Sequence, residues 1–150
     1  MVAWNIRRAR QQDATALSIC IDAAYSIYAS RIVDLPAVSS GISDDIEKNV
    51  VWVAEQNESI VGGMILIPME EFALLANVAV DPRCAGLGLG RRLIELAESE
   101  TLGLGKRELR LTTHLAMPGN VRLYAHLGWW ELGRSGNKVY MTKFLAPDPL

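Results

Sequence analysis

The sequence predicts an α/β (α+β) domain built on a mixed, mostly antiparallel sheet of about seven strands flanked by helices. Three observations carry that expectation. Segments of strand and helix periodicity follow one another in the order β, α, α, β, β, β, α, β, α, β, β. Two apolar, β-branched runs are joined by the short polar stretch Gln56-Asn57-Glu58-Ser59, which reads as a hairpin and makes its strands antiparallel. A glycine-rich turn then leads from the third strand of that block into a helix, after which the next strand can return parallel. At 150 residues the chain suits one core and is short for two, so residues 1–150 read as a single domain.

Taken in order, Trp4 to Ala9 alternates as a short strand, and Asp13 is placed as the N-cap of a helix through Ala14, Leu17, Ile21, Ala24 and Tyr25. Pro36, Ser39, Ser40 and Gly41 mark a break, and Ser43 is placed as the cap of a short second helix through Lys48. Val50 to Glu55 and Ile60 to Met69 form the hairpin, and Phe72 to Val80 continues the sheet. Gly90 to Leu102 is a helix with Leu93, Ile94, Leu96 and Ala97 inward, ended by Gly103 to Gly105. Glu108 to Thr113 alternates again, Asn120 to Leu127 is a short helix stopped by Gly128, and Trp129 to Gly133 and Val139 to Phe144 close the sheet. Trp129 and Trp130 are adjacent on a strand and point to opposite faces, which puts one of them in the core.

Composition narrows the function. A net charge of -2 supplies no basic field for nucleic acid or an anionic membrane. The longest apolar run, Ile60 to Met69, is too short to cross a bilayer, and the first residues lack a signal-peptide core, so the expected address is cytoplasmic. Cys20 and Cys84 have no partners at ligand spacing, so they are read as free thiols, with no disulfide framework and no metal site.

The most informative segment runs from Val78 through Asp81-Pro82-Arg83-Cys84-Ala85-Gly86-Leu87-Gly88-Leu89-Gly90 into Arg91-Arg92-Leu93. Glycines let a backbone approach a ligand closely, and the first turn of a helix has N–H groups without intrahelical acceptors, so a pyrophosphate fits there. Arg91 or Arg92 adds positive charge. A bare strand-to-helix turn accounts for the same glycines, and spacing decides against two other uses. The sixth position from Gly86 is Arg91 and from Gly88 is Leu93, so the dinucleotide pattern fails, and Gly-Lys-Ser/Thr is absent.

These residues resemble the GNAT superfamily of N-acetyltransferases, whose signature is a strand ending Val-x-Pro, an Arg/Gln-x-x-Gly-x-Gly turn and a helix. Val80-Asp81-Pro82 and Arg91-Arg92-Leu93 align, the two spaced glycines fall on Gly88 and Gly90, and the Arg/Gln position falls on Ala85. An alternative register, Arg83-x-x-Gly86-x-Gly88, misplaces the helix. The resemblance extends to Val61-Gly62 in the third strand and to Leu111-Thr112-Thr113-His114, Asn120, Leu123-Tyr124 and Leu127-Gly128-Trp129 near the end.

The resemblance implies acetyl-CoA as co-substrate and transfer of its acetyl group to an amine in a ternary complex. The cofactor residues it implies are Val78, Ala79, Val80, Leu87, Gly88, Leu89, Gly90, Arg91 and Asn120. Tyr124 matches the family's general acid toward sulfur; as a residue on its own it also reads as a half-buried helix aromatic. Asn120 is one helical turn earlier and also reads as an N-cap. An alkylamine of pKa near 10.4 needs about 4.6 kcal/mol for deprotonation at pH 7, so a base or water chain is expected. Glu71 is the candidate, with a solvent-facing turn charge as its other reading; Leu74 stands where some family members place a glutamate. His114 and His126 read as structural or surface histidines.

Tyr25, Tyr28 and Arg31 share a helical face and are candidates to line the acceptor pocket, in the stretch where this superfamily selects its acceptor; they read equally as a core-covering aromatic pair with a surface arginine. The expected partner is a small-molecule or peptide amine, and the closing strands offer an edge able to pair in a homodimer. Acyl-chain choice is placed around Met64, Ile65 and Phe72. The alternative, motivated by Ala85 and Leu74, is a catalytically inactive CoA-binding sensor or interaction module.

Overall fold

In the computed structural model, which describes residues 4–29, 41–114 and 118–146, the chain runs through β1 (Asn5–Arg8), α1 (Ala14–Ala29), α2 (Ile42–Lys48), β2 (Val50–Gln56), β3 (Ser59–Pro68), β4 (Ala73–Val80), α3 (Leu89–Gly103), β5 (Glu108–His114), α4 (Pro118–His126), β6 (Trp130–Ser135) and β7 (Lys138–Phe144). One sheet holds all seven strands in the order β1-β2-β3-β4-β5-β7-β6. Every neighbouring pair is antiparallel except β4 with β5. The hairpin between β2 and β3 turns at Asn57 and Glu58, both with positive φ (51° and 67°), the conformation that matches the right-handed twist of its strands.

Two caps differ from the sequence expectation. Asp13 closes a short 3-10 turn, Gln11–Asp13, instead of capping α1. Its buried carboxylate accepts the Arg10 backbone N–H at 2.7 Å and both Arg7 Nη atoms at 2.8 and 3.0 Å. The Arg7 guanidinium, chiefly by hydrogen bonding, holds the Asp13 carboxyl below the usual range. An aspartate with a half-buried arginine in reach thus serves tertiary structure first. Ser43 likewise lies inside α2, whose N-cap is Gly41. The Ser43 hydroxyl donates to Gln11 Oε1 at 2.8 Å while Gln11 Nε2 donates to the Ser43 carbonyl at 2.9 Å, tying α2 to the start of α1.

The helices cover both faces of the sheet. Leu17 and Ile21 of α1 pack with Val51, Val53, Ile65 and Ala79, whereas Leu89, Leu93, Ile94 and Ala97 of α3 pack with Met64, Leu66, Leu109, Leu111 and Met141. Gly62 and Gly63 sit where the two layers come closest. A Cβ on Gly62 would lie 2.9 Å from Leu89 Cδ2 and 3.1 Å from the Ala79 carbonyl; one on Gly63 would lie 2.6 Å from Leu17 Cδ1 and 3.0 Å from the Trp52 carbonyl. Adjacent strand residues face opposite sides, so the pair admits one helix each way. Gly63→Ala is expected to lower stability by about 1–3 kcal/mol in chemical denaturation, because Leu17 is fully buried and has no space to retreat. An unchanged midpoint would show that α1 is not seated there.

Candidate functional site

The sheet is opened in its middle. β4 and β5 pair only through Ala73 with Leu109 and Leu74 with Arg110, after which both strands continue without partnering each other. On its other side β4 carries a bulge: Leu75 pairs with Leu66 and Asn77 with Ile65, leaving Ala76 extra. Such an insertion bends the strand and increases its twist, the deformation that splays neighbouring parallel strands. Beyond it, Val78, Ala79 and Val80 pair with Met64, Gly63 and Gly62, and the Asp81 N–H donates to the Val61 carbonyl at 2.8 Å. Ladder bonds alternate along an antiparallel strand, so Ala79 shares the Asp81 direction and the N–H groups of Val78 and Val80 turn into the gap beside β5.

The gap leads to the start of α3. Asp81 holds the turn by accepting the Arg83 backbone N–H at 2.9 Å and the Arg83 guanidinium at 3.1 and 3.0 Å. Gly88 is the N-cap of α3 with φ 90°, and no side chain caps the helix. The first bond of the helix runs from the Arg92 N–H to the Gly88 carbonyl, so Leu89, Gly90 and Arg91 have N–H groups without an intrahelical acceptor. Cβ atoms built on Gly86 or Gly88 meet nothing within 4 Å, so the loop surface is open above these amides. Free strand amides, an uncapped helix start and an open glycine loop form one continuous donor surface, which fits the pantetheine and pyrophosphate of coenzyme A in hydrogen-bonding character. Arg91 pairs with Glu95 at 3.2 Å on the exposed helix face, and Arg92 lies 5.8 Å from the Trp4 ring.

Tyr124 is on α4. Its ring packs edge-on against Trp129 with centroids 5.5 Å apart, and the Trp129 backbone N–H donates to the Tyr124 carbonyl at 2.9 Å. Trp129 is buried and Trp130 is exposed, the division expected from their adjacency. Lys143 of β7 secures the end of α4, donating to the Leu127 carbonyl at 2.8 Å and to Glu98 of α3 at 3.1 and 3.2 Å. The sequence offered no signal for that lysine. Burial, and secondarily the nearness of Tyr25, pushes the Tyr124 phenol above its ordinary value. Tyr25 of α1 and Tyr124 of α4 are thus neighbours in space. Asn120 is inside the first turn of α4, which begins at Pro118, so the N-cap alternative is not what is found.

Other candidates fall elsewhere. Glu71 is exposed in the turn between β3 and β4, and His126 is exposed at the end of α4. Tyr28 belongs to α1 but its side chain, like that of His114, is outside the described residues, as is Arg31 entirely. Met64 and Ile65 are core residues on opposite faces; of the three placed for acyl-chain choice, only Phe72 lines an open space. Cys20 and Cys84 are both buried free thiols, and burial raises the Cys20 pKa to about 11, which removes it as a nucleophile at neutral pH. Among the described residues no three His, Cys, Asp or Glu side chains gather as a metal site, and no helix is long and apolar enough to cross a membrane.

A cleft of about 440 Å³ opens beside the point where β4 and β5 diverge, with Phe72, Leu74, Arg110 and Thr112 in its wall. Arg110 and Thr112 alternate with Leu109 and Leu111, so their side chains face away from the α3 layer, and Leu111 and Met141 of that layer also line the cleft.

Residues 7–129 match the family model described as acetyltransferase (GNAT) family. Among solved structures the chain is similar to a PaiA N-acetyltransferase from Thermoplasma acidophilum in complex with coenzyme A, at TM-score 0.85 and 17% identity over 95% of this chain and 99% of that one. It is also similar to an acetyltransferase from Streptococcus agalactiae, at TM-score 0.81 and 20% identity over 95% and 98%. A third likeness is to the ribosomal-protein-S18-alanine N-acetyltransferase from Escherichia coli, at TM-score 0.73 and 23% identity over 98% and 97%. At these identities the likenesses establish the fold. No curated relative matches the sequence.

Proposed function

Because this chain belongs to the GNAT family of acetyltransferases, with acetyl-CoA as its acetyl donor, we propose that it acetylates an amine by direct attack within a ternary complex. The observation that supports this reading is the divergence of β4 from β5 after Leu74 and Arg110, with the Val78 and Val80 amides turned into the gap. Val78 and Val80 then bind the pantetheine and orient the thioester. Ala79 faces β3 and contributes by keeping the strand in register. The amides of Leu87 to Arg91 hold the pyrophosphate, and Asn120 and Tyr124 face the thiol end from α4. Residues 1–150 act together as one acetyltransferase domain.

Acetyl-CoA supplies an activated acyl group; the protein orients it and stabilises the departing sulfur. A phenol of pKa near 10 is already about 2 kcal/mol too weak to protonate a thiolate of pKa near 8.5. Burial of Tyr124 widens that difference. Tyr124 therefore acts by donating a hydrogen bond to the sulfur as charge develops, and full proton transfer follows from solvent. Glu71 is too far out in its turn to be favoured as the base, and deprotonation of the amine is assigned to water entering the cleft.

The test is calorimetric titration of the purified protein with acetyl-CoA and, in parallel, with reduced nicotinamide cofactors, followed by CoA-thiol release across a panel of amines. Micromolar binding of acetyl-CoA alone, with turnover of at least one amine, is expected. Absence of acetyl-CoA binding would end the reading, and binding without turnover of any amine would leave only the inactive CoA-binding module.

A further inference from the structure

We propose that the acceptor is a small amine that also carries a carboxylate and an apolar or aromatic body, an amino acid of that kind, seated in the 440 Å³ cleft where β4 and β5 diverge. This deepens the acetyl-transfer reading and rests on it. The volume suits one small ligand. Phe72, Leu74, Leu132 and Tyr140 provide an apolar wall, with no carboxylate among the described lining residues; Arg110 is the charged side chain on this face, while Arg134 joins the lining from an edge-strand position paired with Val139, whose side chain is on the α3 face. A polyamine would bring several positive charges into that wall without a counter-charge. An amino acid brings a carboxylate to the guanidinium groups and an apolar side chain to the rest.

The two arginines are pre-set. Arg110 lies over the Phe72 ring with its guanidinium carbon 4.1 Å from the centroid, and its Nε donates to Glu108 at 2.7 Å. The same Glu108 oxygen, Oε2, also accepts the Thr142 hydroxyl at 2.8 Å. Arg134 is gripped by Glu131 through Nε and Nη2 at 2.9 and 2.8 Å. Neither carboxylate is among the described lining residues. A guanidinium has five N–H donors, more than one carboxylate consumes. Leu74 occupies the last paired position of β4, so a ligand on this wall has its amine beside the gap that receives the thioester.

The transfer balances without another reactant. The acceptor enters as its ammonium form and gives one proton to water; the neutral nitrogen then forms the new bond to the acetyl carbon as the carbon–sulfur bond breaks. One of the three ammonium protons stays on nitrogen, one ends on the CoA sulfur and one passes to solvent.

The test compares kcat/KM, read as CoA-thiol release from acetyl-CoA, for L-phenylalanine, 2-phenylethylamine and spermidine, in the wild type and in Arg110→Met and Arg134→Met. Acetyl-CoA affinity, measured separately, reports the fold of each variant. The expected result is a preference for L-phenylalanine over both other amines of about tenfold or more. In at least one folded variant its advantage over 2-phenylethylamine should collapse toward one. A wild-type ratio near one, better use of spermidine, no turnover of L-phenylalanine, or an undiminished ratio in both variants overturns the proposal while acetyl transfer stands. Failure of the wild type to bind acetyl-CoA overturns both.

Discussion

Gly88→Asp should abolish acetyl-CoA binding, lowering affinity by at least about a hundredfold, close to 2.7 kcal/mol, while the protein remains folded. The expectation comes from charge. A Cβ at this position meets nothing within 4 Å, so the side chain is sterically accepted, although the φ of 90° makes any L-residue strained. Aspartate there sets a negative group beside the uncapped amides of Leu89, Gly90 and Arg91, satisfying them from within and repelling a pyrophosphate. Two like charges 4 Å apart at an effective dielectric of 20 interact by about 4 kcal/mol. Gly88→Ala separates the causes, since it carries the strain without the charge and should lose far less affinity. Calorimetry on both variants decides: undiminished binding in a folded Gly88→Asp protein would mean that the loop does not hold the cofactor.

Tyr124→Phe should lower kcat by about a hundredfold, within the range for loss of one preorganised hydrogen-bond donor to developing charge, with acetyl-CoA affinity nearly unchanged. The ring's contact with Trp129 survives the change, and only the hydroxyl is lost. The pH dependence has a definite sign. A phenol raised above its ordinary value keeps its proton through the alkaline range in which the acceptor amine becomes neutral. The wild-type rate should therefore climb from pH 7 toward pH 10 without a fall due to Tyr124, and the variant should show the same climb at a lower level. Unchanged kcat would remove Tyr124 from the mechanism.

Much of the fold was legible because its signals are local. The hairpin at Asn57-Glu58, the inward face Leu93, Ile94 and Ala97, and the division between Trp129 and Trp130 each follow from residue spacing within one or two elements. Where expectation and structure differ, a distant partner decides. Asp13 reads as a cap from its neighbours in sequence, but Arg7 of β1 draws it into a partly buried pair. Ser43 reads as a cap and instead bonds Gln11, 32 residues away. Met64 and Ile65 look like pocket residues because they are apolar and follow the Gly62-Gly63 pair; the helix layers on both faces cover them.

The sequence by itself determined the order of elements, the glycine loop at the head of α3 and the resemblance that Val80-Asp81-Pro82 and Gly88-x-Gly90 carry, because each depends on chain neighbours and backbone freedom. Tertiary structure alone decided that β4 diverges from β5 after two paired positions and that Arg110 lies over Phe72 in the wall of the cleft. These are contacts between segments distant in sequence. Their geometry is set by the bulge at Ala76 and by which helix each face of the sheet must bury, and no periodicity within a single segment records either one.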